Sequence, residues 1–329
     1  MSGPTESSQP TIDPYEKLQI VRNPDGTITR GIIVPESPPS SDPNSSTPVL
    51  SKDVPINQSN KTWIRLFLPR HVLENSSPSS KLPLIVYFHG GGFIYLSAST
   101  IIFHNFCVNL ANEVPAVIGS VEYRLAPEHR LPAAYDDAME ALHWIRNSQD
   151  DWLRNYADIS NCFLMGGCAG GNIAYNTGLR VAAEGVDQLG PLMRIRGLIL
   201  QQPFFGGTQR SKSELRLMND PVLPLSVTDL MWEMSLPIGV DRDHEYCNPT
   251  VGAGSKMLEQ IRTLGWRILV SGWDGDLLID RQMEFVKMLE EKGVGVVRRF
   301  GVGEYHGVED VDPSKAKALH LDIKNFISS

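Results

Sequence analysis

The chain has 329 residues, of which 41% are hydrophobic, and its formal net charge is -8 at pH 7. This length allows one large α/β domain or two small ones. The negative charge argues against nucleic acid as a partner, because phosphate binding requires clustered Lys and Arg. No segment reaches the ~18 apolar residues of a membrane helix, and residues 1–14 lack the basic start and apolar core of a secretory signal. We therefore expect a cytoplasmic protein that does not bind membranes.

The four cysteines, at positions 107, 162, 168 and 247, lack the spacing of a zinc site or of a dense disulfide framework. Reduced thiols are the expectation. The sequence predicts neither a metal nor a cofactor.

The predicted elements begin after an arm, residues 1–50, which is rich in Ser, Pro, Asn and Thr and is expected to be irregular. Apolar runs then alternate with helical patterns, and this alternation predicts a mostly parallel sheet covered by helices on both faces. The interval from about 206 to 249 breaks the alternation and is interpreted as inserted cap helices. We predict one domain over residues 1–329. The predicted strands are 63–68, 84–88, 116–121, 162–165, 197–201, 267–271 and 294–300.

Three helices have readable signals. One follows Pro132, with apolar residues recurring on one face. A second is predicted to be capped by Asp280 and to end at Gly293. The last is predicted to open at Asp312-Pro313.

The segment Gly166-Gly167-Cys168-Ala169-Gly170 lies between a predicted strand and a predicted helix. This pattern is typical of a nucleophile elbow, in which a sharp turn holds a reactive side chain above the sheet and small neighbours let the backbones approach. Glycine-rich turns also occur without function, and buried cysteine is usually inert. In this elbow a thiol stands where a serine hydroxyl is usual.

A second glycine-rich segment, His89-Gly90-Gly91-Gly92-Phe93, follows the strand predicted at 84–88. It could be a plain tight loop. In an elbow enzyme, such a loop offers backbone N–H groups to an oxyanion, together with the residue after the nucleophile. The donors would be Gly91, Gly92 and Ala169. A P-loop is excluded because no Gly-Lys-[Ser/Thr] follows.

A base and an acid should follow the nucleophile in chain order. His306 lies in a loop between the last predicted strand and the last predicted helix. Asp276 follows the strand predicted at 267–271; Asp274 competes for the same role, and Asp276 fits best because an apolar anchor follows it. The predicted triad is Cys168, Asp276 and His306.

At this point the chain resembles the plant carboxylesterases, which belong to the hormone-sensitive-lipase-like branch of the α/β-hydrolases. The resemblance implies an α/β-hydrolase fold with a cap built from the N-terminal arm and the inserted helices. It also places the oxyanion glycines on Gly91 and Gly92, the triad acid on Asp276 and the base on His306. The motifs that carry it include Tyr87-Phe88-His89-Gly90-Gly91-Gly92-Phe93, Tyr123-Arg124-Leu125-Ala126-Pro127-Glu128-His129, Ala169-Gly170-Gly171-Asn172 and Asp241-Arg242-Asp243-His244-Glu245-Tyr246-Cys247-Asn248-Pro249.

The chain departs from the family pattern at two positions. Gly167 stands where members usually carry an acidic residue, and Cys168 stands where they carry serine. The leading hypothesis is a Cys-His-Asp ester hydrolase acting on a small, apolar plant metabolite. One alternative is a non-hydrolytic lyase, dehydratase or cyclase that uses His306 as acid and base. Another is a ligand-binding receptor, although the related receptors depart at the catalytic histidine, whereas this chain retains His306.

Overall fold

The computed structural model describes residues 12–42, 46–74, 81–184, 189–251 and 254–329. Parts of the predicted arm, residues 1–11 and 43–45, therefore lie outside the described residues. Within the described ranges, no helix combines the length and the apolar character that crossing a bilayer requires.

The elements alternate along the chain as the sequence predicts. The strands are β1 (Ile20–Arg22), β2 (Ile28–Arg30), β3 (Val49–Asn57), β4 (Thr62–Pro69), β5 (Leu82–Phe88), β6 (Val117–Glu122), β7 (Ala157–Gly167), β8 (Ile195–Gln201), β9 (Arg267–Trp273) and β10 (Gly295–Gly301). The helices are α1 (Pro14–Leu18), α2 (His71–Glu74), α3 (Ile101–Glu113), α4 (Ala133–Asn147), α5 (Asp151–Tyr156), α6 (Ala169–Glu184), α7 (Lys212–Arg216), α8 (Leu225–Ser235), α9 (Gly254–Thr263), α10 (Ile279–Glu291), α11 (Val308–Val311) and α12 (Pro313–Ile327).

The core of the fold is an eight-stranded sheet with the order β10-β9-β8-β7-β5-β6-β4-β3. The strands from β10 to β6 pair in parallel, and β4 and β3 are antiparallel. The central strands are continuously buried over most of their length, because helices cover both faces of the sheet. The prediction of a mostly parallel α/β sheet is confirmed.

All seven predicted strands are present, but the sequence analysis missed β3 (Val49–Asn57). Only its first three residues are buried, and exposed positions alternate with half-buried ones towards its end. Lys52, Asp53 and Pro55 interrupt any apolar run there. β3 is an edge strand, where polar residues and proline are tolerated because one side of the ladder faces no partner.

The helix that follows Pro132 is confirmed as α4, and Asp312 caps α12 by accepting the Ser314 N–H at 2.7 Å. The prediction that Asp280 caps a helix is wrong. α10 starts at Ile279, so Asp280 lies within its first turn. The Asp280 carboxylate instead accepts the Ser213 N–H at 2.7 Å. Asp280 therefore links α10 to the inserted segment.

The N-terminal arm is less irregular than expected, since it contains α1 and the β1–β2 hairpin. α1 lies against the inserted segment. The Ser226 hydroxyl of α8 donates to the Ile12 carbonyl at 2.8 Å, and Lys17 of α1 donates to the Pro221 carbonyl at 2.9 Å. We propose that the arm and the interval 206–249 together form a cap on one domain. The contact of α8 with the glycine-rich loop at residues 89–93, described below, supports this division.

Candidate active site

Cys168 occupies a sharp strand-to-helix turn. β7 ends at Gly167, α6 begins at Ala169, and Cys168 between them has a left-handed backbone with φ +53°. This conformation costs a non-glycine residue roughly 1–2 kcal/mol. The neighbours must be small, because a Cβ on Gly166 would lie 2.2 Å from the Gly170 carbonyl group. The Cys168 thiol is partly buried. The sharp strand-to-helix turn that the sequence predicts at residues 166–170 is present in the fold.

Hydrogen bonds from the main chain hold this turn in place. The Cys168 N–H donates to the Gln201 carbonyl at 2.9 Å, and the Cys168 carbonyl accepts from Phe204 at 2.9 Å. The position of Cys168 is therefore fixed by the end of β8 and by the segment that follows it.

Asp276 and His306 meet at the carboxyl end of the sheet. Asp276 lies between β9 and α10, His306 follows β10, and the His306 Nδ1 lies 2.8 Å from the Asp276 Oδ2. The Asp276 carboxylate also accepts from the Leu278 N–H at 2.9 Å and from the Gln282 amide at 3.2 Å. Its competitor Asp274 accepts the Gly303 N–H at 2.7 Å. Asp274 thus stabilises the loop that carries His306 and does not contact the imidazole.

The Cys168 side chain lies close enough to the His306 imidazole to affect its pKa. Burial lowers the pKa of His306, but Asp276, through its charge and its hydrogen bond, and the neighbouring Cys168 raise it well above its ordinary value. The structure therefore brings the three predicted triad residues together in one chain of contacts. A protonated imidazole beside the Asp276 carboxylate is the state that this setting favours.

The glycine-rich loop at residues 89–93 lies beside the Cys168 thiol, since a Cβ on Gly90 would be 3.4 Å from the Cys168 Cβ. Gly91 has φ +107° and Gly92 has φ +60°, conformations that favour glycine. A Cβ on Gly91 would lie 2.2 Å from the Tyr95 carbonyl oxygen. Within the described ranges, the N–H groups of Gly91, Gly92 and Ala169 donate to no acceptor of the chain.

His89, at the start of this loop, has a structural setting. Its ring is fully buried and stacks on Tyr123, with ring centroids 4.2 Å apart. Burial lowers the pKa of His89 to about 4, so the ring is neutral at ordinary pH, and its Nδ1 donates to the Gly90 carbonyl at 2.7 Å. His89 therefore supports the loop from below.

Apolar side chains from the cap and the adjoining segments surround the same loop. Phe204 stacks on Trp232 of α8, with centroids 4.5 Å apart, and Phe93 packs against both rings. Met231 of α8 lies against Gly92, because a Cβ there would be 2.2 Å from the Met231 sulfur. The sequence indicated an apolar cap but could not show which residue meets the loop.

A buried polar cluster lies beneath the elbow, and no sequence pattern predicts it. A Cβ on Gly167 would lie 3.3 Å from the Gln201 amide oxygen and 3.9 Å from the Tyr87 hydroxyl. Asp310 contributes a buried carboxyl group to this cluster. Its own burial, followed by the charge of Glu309, raises the pKa of Asp310 to about 7. The chain thus has a carboxyl group in this region although position 167 lacks one.

The matching family model, described as the alpha/beta hydrolase fold, covers residues 85–310. Solved structures agree on the fold. An esterase from Pyrobaculum calidifontis superposes with a TM-score of 0.69 at 24% identity, covering 85% of this chain and 86% of that one. The protein is thus an α/β-hydrolase.

Curated relatives are more similar in sequence. Carboxylesterase 20 of Arabidopsis thaliana is 54% identical, covering 97% of this chain and 98% of the relative. The 3-O-acetylpapaveroxine carboxylesterase CXE2 of Papaver somniferum is 45% identical over 96% and 99%. The gibberellin receptor GID1C of Arabidopsis thaliana is 35% identical over 83% and 79%. Among the α/β-hydrolases, the chain belongs to the plant carboxylesterase family, whose class is that of carboxylic-ester hydrolases.

Proposed function

We propose that this protein hydrolyses carboxylic esters of small, apolar plant metabolites. Cys168 is the nucleophile, His306 the acid and base, and Asp276 the group that orients and stabilises the imidazolium. The N–H groups of Gly91, Gly92 and Ala169 stabilise the oxyanion. One observation carries the proposal: the His306 Nδ1 lies 2.8 Å from the Asp276 carboxylate, and the Cys168 side chain lies close enough to the same imidazole to raise its pKa.

The reaction proceeds in two halves. The Cys168 thiolate attacks the ester carbonyl carbon, and the carbonyl oxygen gains a negative charge opposite the glycine loop. The intermediate collapses, the C–O bond breaks, and the His306 imidazolium protonates the departing alkoxide. Water then attacks the resulting thioester while neutral His306 accepts its proton. The thioester bond breaks, the acid leaves, and the thiolate and imidazolium are restored.

Sulfur changes the substrate preference of this site. It is larger than oxygen and has longer bonds, and a misplacement of ~1 Å can lower the rate about a hundredfold. A thiolate is also a better leaving group than an alkoxide, so the first intermediate reverts when the substrate's own leaving group is poor. We expect weak turnover of ordinary alkyl esters and better turnover of activated esters, lactones and thioesters.

The surroundings of the site support an apolar substrate. Phe93, Phe204, Met231 and Trp232 lie around the glycine loop and offer few hydrogen-bonding groups. The name of the Papaver somniferum relative indicates an O-acetylated plant metabolite as its substrate. An acyl ester of a plant specialised metabolite, such as an alkaloid, is the substrate class that we propose here.

The test compares Cys168→Ala and His306→Ala with the unchanged protein on a panel of activated esters and thioesters. We expect both variants to lose turnover. Intact mass spectrometry of the unchanged protein should detect an acyl adduct that is absent from Cys168→Ala. Unchanged hydrolysis by Cys168→Ala would contradict the proposal.

A non-hydrolytic acid–base reaction is the second candidate, and the raised pKa of His306 favours it, because an imidazole that is protonated near neutral pH can act as a general acid. In that case His306→Ala abolishes the activity and Cys168→Ala retains it. Binding of the metabolite without turnover would instead favour a receptor-like function.

A further inference from the structure

The side chain of Gln202 contacts the main chain on both sides of His306. Its amide oxygen accepts the Gly307 N–H at 2.7 Å, and its amide nitrogen donates to the Tyr305 carbonyl at 3.2 Å. One side chain therefore bonds the residue before and the residue after the imidazole. Both bonds are within the ordinary range for N–H···O contacts.

The backbone of Gln202 is held in an unusual conformation. Gln202 directly follows β8 and has φ +43°, which is left-handed, although it is not glycine. Its own N–H donates to the Ser271 carbonyl of β9 at 2.9 Å, and only 1% of the residue is exposed. Such strain costs of order 1–3 kcal/mol and persists only where the surroundings enforce it. The turn directs the amide away from the strand and towards the His306 loop.

Gln201, the residue before Gln202, contacts the main chain of Cys168. The Gln201 carbonyl accepts the Cys168 N–H at 2.9 Å, and Gln201 pairs with Gly167 in the sheet register. Two consecutive residues at the end of β8 therefore contact the two reacting parts of the site. Gln201 fixes the elbow through its main chain, and Gln202 fixes the His306 loop through its side chain.

We propose that Gln202 is a positioning residue that sets the location of the His306 imidazole relative to the Cys168 sulfur. The inference rests on the proposed function. Gln202 itself touches no reacting atom. Its effect is exerted through the peptide groups of Tyr305 and Gly307, and loss of both bonds frees the loop to move by the fraction of an ångström that slows proton transfer.

The chemistry of the contact requires an amide. A carboxylate can accept the Gly307 N–H but cannot donate to the Tyr305 carbonyl, and an apolar side chain can do neither. Gln202→Glu therefore removes one of the two hydrogen bonds. Gln202→Met removes both and keeps a side chain of similar length. Asn57→Leu is the matched control. Asn57 ends the edge strand β3, and its amide oxygen likewise accepts main-chain N–H groups, from Ser59 at 2.9 Å and from Asn60 at 3.2 Å. Leucine has a similar shape and removes these hydrogen bonds outside the candidate site.

The experiment measures kcat and KM on an activated ester, the melting temperature, and the rate of Cys168 alkylation by iodoacetamide from pH 5 to pH 9. The other three cysteines are buried, so Cys168 is the thiol that reacts first. We expect Gln202→Met to lower kcat about 10- to 100-fold with KM within about twofold. Alkylation at pH 7 should fall about tenfold and its pH profile should change. The loss in Gln202→Glu should lie between those of the unchanged protein and Gln202→Met, and Asn57→Leu should retain kcat.

A folded Gln202→Met or Gln202→Glu with unchanged kcat and unchanged alkylation overturns the inference. Equal losses of kcat in Asn57→Leu and Gln202→Met, in step with their melting temperatures, also overturn it, because they indicate general destabilisation. Alkylation is independent of ester turnover. If the unchanged protein hydrolyses no ester but Gln202→Met still alters the alkylation profile, the proposed hydrolysis fails and the positioning role stands.

Discussion

The carbonyl oxygen of Phe88 packs directly against Gly170. A Cβ added to Gly170 would lie only 1.9 Å from that oxygen. Phe88 is the last residue of β5, and Gly170 lies in the first turn of α6. The helix that follows the nucleophile therefore packs directly on the strand that leads into the glycine loop. This contact fixes the spacing between the Cys168 thiol and the glycine-rich loop at residues 89–93.

Gly170→Ala should consequently abolish activity and lower the melting temperature, because the atoms that it meets belong to the backbone and cannot move aside independently. Gly178→Ala on the same helix is the matched control. A Cβ there would meet only the side chain of Leu198, at 2.9 Å, which can rotate. We expect Gly178→Ala to retain most of the activity. Equal effects of the two substitutions would contradict this account of the elbow.

Cys168→Ser should raise the hydrolysis of ordinary alkyl esters, by about 10- to 100-fold in kcat/KM, because the hydroxyl suits the oxyanion geometry better. The same change should lower the reaction with iodoacetamide to background. The check is a comparison of alkyl esters with thioesters, in which the preference should reverse. A serine variant that is no faster on alkyl esters would show that sulfur does not limit the rate.

Gly92→Ala should lower kcat, because φ +60° is unfavourable for alanine and the new methyl group meets the Met231 sulfur. Met231→Ala removes the second of these two effects. The double variant Gly92→Ala/Met231→Ala should therefore recover part of the activity lost in Gly92→Ala. If the kcat of the double variant falls by the product of the two single losses, the whole loss in Gly92→Ala is due to the backbone conformation.

Asp310→Asn should stabilise the protein at high pH. The pKa of Asp310 is raised from 3.8 to about 7 in the folded state, mainly by burial. A raised pKa means that the folded state binds the proton more tightly, so this stability is present below pH ~4 and is lost as pH rises to ~7. Because asparagine does not titrate, its advantage should grow over that range and reach about 1–3 kcal/mol at pH 8.

The measurement is urea unfolding of both proteins between pH 4 and pH 8. Asp25→Asn serves as the control, because a hydrogen bond from Thr27 lowers the pKa of that exposed carboxyl group. The stability that this hydrogen bond provides is lost only below pH ~4, so the gap between Asp25→Asn and the unchanged protein should stay nearly constant from pH 4 to pH 8. A similarly constant gap for Asp310→Asn would mean that the pKa of Asp310 is the same in the folded and unfolded states.

The sequence was sufficient to predict a feature where a residue type has one main reason to be at its position. Glycines on both sides of Cys168 indicated the elbow, and the order of Cys168, Asp276 and His306 indicated which groups should meet. Continuous apolar runs located the parallel strands. These signals are local, or depend on an order that the fold preserves.

The sequence was insufficient where a role depends on which side chains meet across the fold. Asp280 has the character of a helix cap, but the N–H that it accepts belongs to Ser213, 67 positions away. Gln202 resembles any polar residue after a strand, and its partners Tyr305 and Gly307 are more than a hundred residues downstream. The edge strand β3 has no apolar run, because it needs to bury little of its surface.

The packing of Met231 against Gly92 gives the cap a mechanical influence on the chemistry. α8 holds Met231 on one side and is tied to the arm on the other, through Ser226 and Ile12. A substitution that shifts α8 therefore also shifts the thioether that lies against Gly92. The shape of the loop beside Cys168 thus depends on a contact that is anchored near the beginning of the polypeptide.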